Sequence, residues 1–301
     1  MMISPPYLKP GDSVSIVSTA RKIDIEVINQ AKSILESWGL VVKLGNHLFF
    51  EENQYAGNDM ERAADLQEAM NDPQCSAIFC ARGGYGTVRL LDFIQFDVFK
   101  TLPKWVIGYS DVTVLHSHLQ RIVGVESLHG SMPINFQSNT ANSLTLLRNV
   151  LFGEKLFYNL PPNPMNKTGS GRGELVGGNL SILYSLKGSV SFPYTKGRIL
   201  FIEDLDEYLY HIDRMMIALK RAGCFDQLAG LIVGGMTKMN DNEVPFGKTA
   251  EEIIRDEVSS YNFPVCFGFP AGHIDDNCPL ILGRTVELKV SPSGSLVEFN
   301  F

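Results

Sequence analysis

The chain is short of everything that would tie it to a charged polymer, a bilayer or a disulfide framework. Among 301 residues the net charge is -7 and no run of Lys or Arg is longer than two. A nucleic-acid footprint needs clustered positive charge, so its absence argues against that class. It argues equally against attraction to an anionic membrane surface. No apolar run approaches the roughly 20 residues that a spanning helix requires. The first residues, MMISPPYLKPGDSV, lack a basic stretch followed by an apolar one, so no signal peptide is expected. The five cysteines, Cys75, Cys80, Cys224, Cys266 and Cys278, are odd in number and form no CxxC pair. That spacing argues against a disulfide scaffold or a structural zinc site and fits a reducing compartment. The expectation is a cytoplasmic protein that binds neither nucleic acid nor membrane.

What is present is an ordinary globular composition, 45% hydrophobic and 20% charged, enough to bury a core. The pattern alternates. Residues 12–20 (DSVSIVSTA) read as a strand. Residues 25–39 carry apolar side chains at helical spacing and end at Gly39. A second strand follows at 40–45, a helix at 59–72 with Asp59 as its expected cap, and a strand at 76–86 that runs into RGGYG. The next strand, WVIGYSD, leads into a helix over 111–122. Strand and helix in turn, with short connections, mean a parallel sheet covered on both faces. Ligands of such sheets sit beyond the carboxyl ends of the strands. Two of those ends are chemically marked here, at 82–86 and at 108–111.

Residues 156–172, rich in Pro, Asn, Gly and Ser, have no apolar period and read as a linker. Beyond it come a strand (GRILFIED), a helix ending at Gly223, a strand (LAGLIVGGM), a helix (TAEEIIRDEVSS), a strand leading into PAGH, and a hairpin around Pro-Ser-Gly-Ser. The expected organisation is α/β in two domains: a doubly wound parallel sheet over 1–155 and a mixed α/β domain over 173–301.

Three kinds of chemistry compete for the marked turns. Phosphate cradling is poorly supported. RGGYG misses the GxGxxG spacing, GSGRG does not join a strand to a helix, and PFGKTA lacks the first glycine of a P-loop. Metal binding is also poorly supported. His116 and His118 are two apart and point to different sides of a helix, EDLDE lacks the spacing of a calcium loop, and HIDDN offers one histidine without a second at helical spacing. Neither cofactor nor metal is expected.

Nucleophilic catalysis fits better. Ser110 stands where a strand turns into a helix, although the GxSxG pattern of a nucleophile elbow is incomplete. The helix start offers unpaired N–H groups. The Asp111 amide, with the backbone of Gly83 and Gly84, would face an oxyanion forming beside the hydroxyl. A serine needs a base, and the base needs an orienting acid. His273, after a strand and within PAGHIDDN, is the candidate base. Glu203, at the end of RILFIED, is the candidate acid. Each has a plainer reading: helix cap, turn histidine, solvated strand end.

Taken together, CARGGYG, VIGYSDVT, His129-Gly130, LVGGNLSIL, LFIEDLDE, IDRMM and GHIDDN resemble the LD-carboxypeptidase family of serine peptidases over nearly the whole chain. That family includes murein tetrapeptide LD-carboxypeptidases and self-immunity proteins against microcin C. The resemblance implies a flavodoxin-like N-terminal domain carrying the serine, a swivelling, barrel-like C-terminal domain carrying the acid and the histidine, and a homodimer. It implies a Ser110–His273–Glu203 triad between the domains, with Asp111 and the Gly83-Gly84 turn as oxyanion hole. It implies release of terminal D-alanine from murein tetrapeptides. Cleavage of a microcin-type peptidyl or aminoacyl nucleotide is the alternative, with Phe157 and Tyr158 as candidate base-stacking residues. A ligand-binding module without catalysis is the alternative of another class. Two stretches depart from the family pattern. Ser18-Thr19-Ala20-Arg21 replaces a Pro-Ser pair, and DDNCPLILG ends differently from the usual loop; both are expected to reshape substrate contacts.

Overall fold

The computed structural model describes residues 2–300. The strands are β1 (Ser13–Val17), β2 (Val41–Leu44), β3 (Cys75–Cys80), β4 (Trp105–Gly108), β5 (Ser127–His129), β6 (Phe157–Leu160), β7 (Gly169–Asn179), β8 (Ile199–Leu205), β9 (Gly230–Thr237), β10 (Val265–Phe267), β11 (Leu280–Leu282), β12 (Thr285–Ser291) and β13 (Gly294–Phe299). They form two sheets, in the orders β11-β5-β4-β3-β1-β2 and β10-β9-β8-β7-β12-β13-β6.

In the first sheet β1 to β5 run parallel, as the buried apolar runs of β1, β3 and β4 require. In the second, β7 to β10 are parallel and β7, β12, β13 and β6 are antiparallel. This is the expected mixed α/β architecture. Among the described residues the second sheet is open between β10 and β6, with one bridge at Lys167↔Val265, and no closed barrel forms.

Several local expectations need correction. The stretch 156–172 is not structureless, because it contains β6 and the first residues of β7. Strand β6 lies at a sheet edge, where Phe157 faces out and Tyr158 faces in, so its period is too short to read. The glycines of GSGRG serve close approach: a Cβ on Gly171 would lie 1.9 Å from the Ala229 carbonyl oxygen. The helix Asp59–Asn71 is capped by Asn58, not Asp59, in a reciprocal box with Glu61. The single helix expected over 111–122 is a 3₁₀ turn (Ser110–Val112), an α-helix (Thr113–His118) and a π-turn (Leu119–Val123). Thr249 of PFGKTA caps the helix Ala250–Val258.

The two halves share a core, because one buried apolar cluster runs from Val14 through Phe201 to Phe299. Strand β11 belongs to the C-terminal half of the chain but pairs antiparallel with β5 of the first sheet. Arg284, beside it, is buried; its Nη2 donates to Glu126 Oε2 at 2.5 Å and to Ser4 Oγ at 2.6 Å, and its Nη1 to the Tyr7 hydroxyl at 2.8 Å. The segment 268–279 therefore starts at one sheet and ends in the other. That span is what carries His273 across to β4.

Candidate active site

Ser110 follows the buried strand β4 and opens the 3₁₀ turn, with Tyr109 extended and Ser110 itself at φ 63°. A non-glycine residue in the left-handed region stores backbone strain of order 1–3 kcal/mol, a cost that concentrates at functional turns. The kink turns the hydroxyl outward at the carboxyl end of the sheet. Beside it Gly83 is so close that a Cβ there would lie 3.2 Å from Ser110 Oγ and 3.4 Å from the Asp111 nitrogen. Gly84, one residue further out, is at φ 119° and exposed. The Asp111 carboxylate is buried and accepts the Thr87 N–H at 2.8 Å, which ties the serine turn to the glycine loop.

The C-terminal half supplies the other two groups. His273 Nε2 lies 3.0 Å from Ser110 Oγ, and His273 Nδ1 lies 2.7 Å from Glu203 Oε2. The same carboxylate oxygen accepts the His273 backbone N–H at 3.2 Å. Glu203 is fully buried near the end of β8, so its partner is the imidazole rather than water. Its neighbour Asp204 points the other way, to Asn179 and the Ser181 N–H. Burial, and then the Glu203 charge, push the Asp204 carboxyl up to about 7. Burial lowers the His273 pKa, but the Glu203 charge and hydrogen bond outweigh it, so the imidazole ends above its ordinary value.

The loop that holds His273 depends on Gly272, at φ 108°, where a Cβ would lie 2.6 Å from Glu203 Oε2. Asn277 Oδ1 accepts the Gly272 N–H at 2.8 Å. From the N-terminal half, Asn139 Nδ2 donates to the Asp275 carbonyl at 2.9 Å, and Thr140 Oγ1 to Asp276 Oδ1 at 2.5 Å. The Tyr109 ring stands edge-on to the imidazole, centroids 4.9 Å apart, with its hydroxyl on Asn135. A cavity of about 490 Å³ opens beside His273, lined among others by Tyr109, Asn139, Thr237 and Lys238. That is room for a few residues of peptide.

The structure thus brings Ser110, His273, Glu203, Asp111 and Gly83 to one place. Sequence reasoning did not single out Tyr109, Gly272 and Asn277, although all three stand inside motifs it quoted. Asn139 and Thr140 carry no local mark, because their partner lies more than a hundred residues away in the chain. Phe157 and Tyr158 are not placed for base stacking. Tyr158 is buried, with its hydroxyl on the Pro279 carbonyl at 2.6 Å, and Phe157 faces out from edge strand β6. His116 is buried between the Gly108 carbonyl and Ser127, and burial lowers its pKa to about 4. His118 bonds Ser191. The DDNCPLILG departure is mostly core: Cys278 is buried and Leu280–Leu282 is β11. All five cysteines are buried and free, and no helix among the described residues is long and apolar enough to cross a membrane.

Comparison with known proteins agrees along both halves. Residues 14–130 match the LD-carboxypeptidase N-terminal domain and residues 172–288 the LD-carboxypeptidase C-terminal domain. A "Probable murein peptide carboxypeptidase" of Bacillus subtilis (strain 168) is 34% identical over 299 residues, covering 98% of this chain and 94% of the relative. The crystal structure of a muramoyltetrapeptide carboxypeptidase from Oxalobacter formigenes superposes with a TM-score of 0.88 at 25% identity, over 96% of this chain and 99% of that one. MccF in complex with glutamyl sulfamoyl guanosine has the same fold, with a TM-score of 0.88 at 20% identity over 99% and 98% of the two chains.

Proposed function

The chain belongs to the LD-carboxypeptidase family, and from that premise we propose that it is a serine carboxypeptidase releasing terminal D-alanine from murein tetrapeptides in peptidoglycan recycling. The observation that carries the reading is the unbroken relay from Glu203 through His273 to Ser110, with hydrogen bonds of 2.7 and 3.0 Å. Ser110 Oγ attacks the carbonyl carbon of the amide to D-alanine. His273 Nε2 takes the hydroxyl proton as the Oγ–C bond forms. The carbonyl oxygen becomes an oxyanion, held by the Asp111 amide and the Gly83-Gly84 backbone. The C–N bond then breaks, and His273 returns the proton to the departing amine of D-alanine. Water, activated by the same imidazole, hydrolyses the acyl-serine. Glu203 fixes the ring orientation and stabilises its cationic form throughout.

The test is incubation of the pure protein with L-Ala-γ-D-Glu-meso-diaminopimelate-D-Ala. D-Alanine release is the expected result, and its absence overturns the reading. Turnover of an aminoacyl sulfamoyl adenylate in its place would move the assignment to a microcin-type immunity peptidase. A homodimer in the cytoplasm is part of the same proposal, and light scattering on the purified protein checks the dimer.

Gly83 offers an independent check on the oxyanion site. A methyl group there would press on Ser110, at 3.1 Å from its Cβ, and occupy the space of the reacting carbonyl. Alanine keeps the backbone N–H, but its methyl displaces the carbonyl from the oxyanion amides, so Gly83→Ala is expected to lower kcat by roughly 10²- to 10³-fold, as much as losing one oxyanion donor. Its thermal midpoint should stay within a few degrees of wild type.

A further inference from the structure

The departure Ser18-Thr19-Ala20-Arg21 has a structural consequence that the relay does not use. Strands β1 and β3 are neighbours, so the turns at their carboxyl ends lie side by side. Arg21 is on the first turn and Arg82 on the second. Arg21 is exposed, and its side chain lies over Gly84: a Cβ on that glycine would be 2.6 Å from Arg21 Cδ and 2.9 Å from Nε. Arg82 is part-buried. Its Nη1 donates to the Lys22 carbonyl at 3.0 Å, while its buried Nε has no partner among the described residues. It directly precedes Gly83, the glycine against Ser110.

Half of the chain's other arginines have acids. Arg62 and Arg89 share Asp59, Arg198 has Glu174, and Arg284 has Glu126. Among the described residues no carboxylate lies within ion-pair distance of Arg21 or Arg82; the nearby Lys22 is paired with Glu51. Burial, and then the Arg21 charge, disfavour the cationic form of Arg82, while Asp24 acts on it only through its more distant field. The Arg21 field also reaches Asp111, beside the nucleophile. Two cations side by side repel each other unless an anion sits between them. A forked guanidinium matches a carboxylate in two parallel hydrogen bonds.

We propose that Arg21 and Arg82 form a carboxylate-binding subsite at the edge of the nucleophile turn and hold a carboxylate of the peptide substrate. The proposal rests on the peptidase reading. The two residues that flank the scissile amide carry one free carboxylate each, that of the terminal D-alanine and that on the distal centre of meso-diaminopimelate, and the subsite is assigned to one of these two rather than to the α-carboxylate of the γ-linked D-glutamate. Both present the same chemistry, and substrate variants separate them.

The experiment compares wild type with Arg21→Gln and Arg21→Lys on three peptides: the diaminopimelate tetrapeptide, its C-terminal carboxamide, and the tetrapeptide with L-lysine in third place. Arg21 is exposed, so its loss spares the core. Arg21→Gln is expected to raise KM for the first peptide by about tenfold or more, the usual effect of losing a hydrogen bond to a charged group. The change in kcat should stay below about threefold, and Arg21→Lys should recover part of the loss. The peptide that lacks the bound carboxylate should be a poor substrate for wild type and insensitive to the substitution. Insensitivity of the carboxamide places the terminal carboxylate in the subsite; insensitivity of the lysine peptide places the third-residue carboxylate there. An unchanged KM, or an equal loss on all three peptides, overturns the subsite. The underlying reading fails separately, if wild type releases no D-alanine. In that event calorimetry with the tripeptide product decides the subsite: weaker binding to Arg21→Gln supports it, and equal heats overturn it.

Discussion

Ser110→Ala is expected to lower D-alanine release by roughly 10⁴-fold or more, with the fold intact. The substitution removes one oxygen, the atom that His273 Nε2 meets at 3.0 Å. It leaves the Cβ, the turn and the oxyanion amides where they are, so any residual rate measures binding and oxyanion stabilisation alone. Ser110→Gly completes the comparison. Glycine adopts φ 63° without the penalty that serine incurs there. The glycine variant should be just as inactive, yet more resistant to urea by about 1 kcal/mol. Inactive and stabilised together would place the strain at the nucleophile itself. More than a hundredth of wild-type activity in Ser110→Ala would put the nucleophile elsewhere.

The relay was legible because each member lies near the carboxyl end of a strand, and these ends in parallel α/β sheets are where ligands bind. Ser110 lies two residues beyond β4, Glu203 two residues before the end of β8, and His273 follows β10 by a short turn. Composition at these ends, a glycine two residues before the serine and an aspartate two residues after the histidine, distinguishes them from plain turns. Periodicity could not reveal what depends on contacts across the chain. Strand β11 is three residues long and fully buried, so nothing in its pattern distinguishes it from loop or helix. Its partner β5 lies in the other half. The clasp of Asn139 and Thr140 on the histidine loop is likewise a non-local contact between polar residues, each common in any turn. The glycines of GSGRG misled for a related reason. Glycine marks both flexible linkers and places where two backbones nearly touch, and only the neighbouring Ala229 carbonyl decides which. The backbone conformation of Ser110 was also hidden, since serine carries no bias toward a positive φ.

Glu203→Gln tests the other end of the relay. Glutamine preserves shape but presents an N–H₂ or an uncharged oxygen to His273 Nδ1, which sits 2.7 Å from the native carboxylate. The wrong tautomer leaves Nε2 protonated toward Ser110, and the imidazolium loses its counter-charge. Loss of the orienting acid in such relays costs about 10⁴-fold in kcat. The pH profile should change as well, in a direction set by the balance on His273. The base must be neutral, so activity falls as pH drops through the imidazole pKa. In wild type the Glu203 charge and hydrogen bond outweigh the lowering effect of burial. The acid limb should therefore lie above about 6.5, the ordinary histidine value. With glutamine in place burial is opposed only by the smaller effect of the Asp204 charge, and the limb should move to lower pH. A variant that merely loosened the fold would lose rate without moving the limb in this direction. A large loss of kcat with the limb unmoved would assign Glu203 a packing role and leave the histidine without its acid.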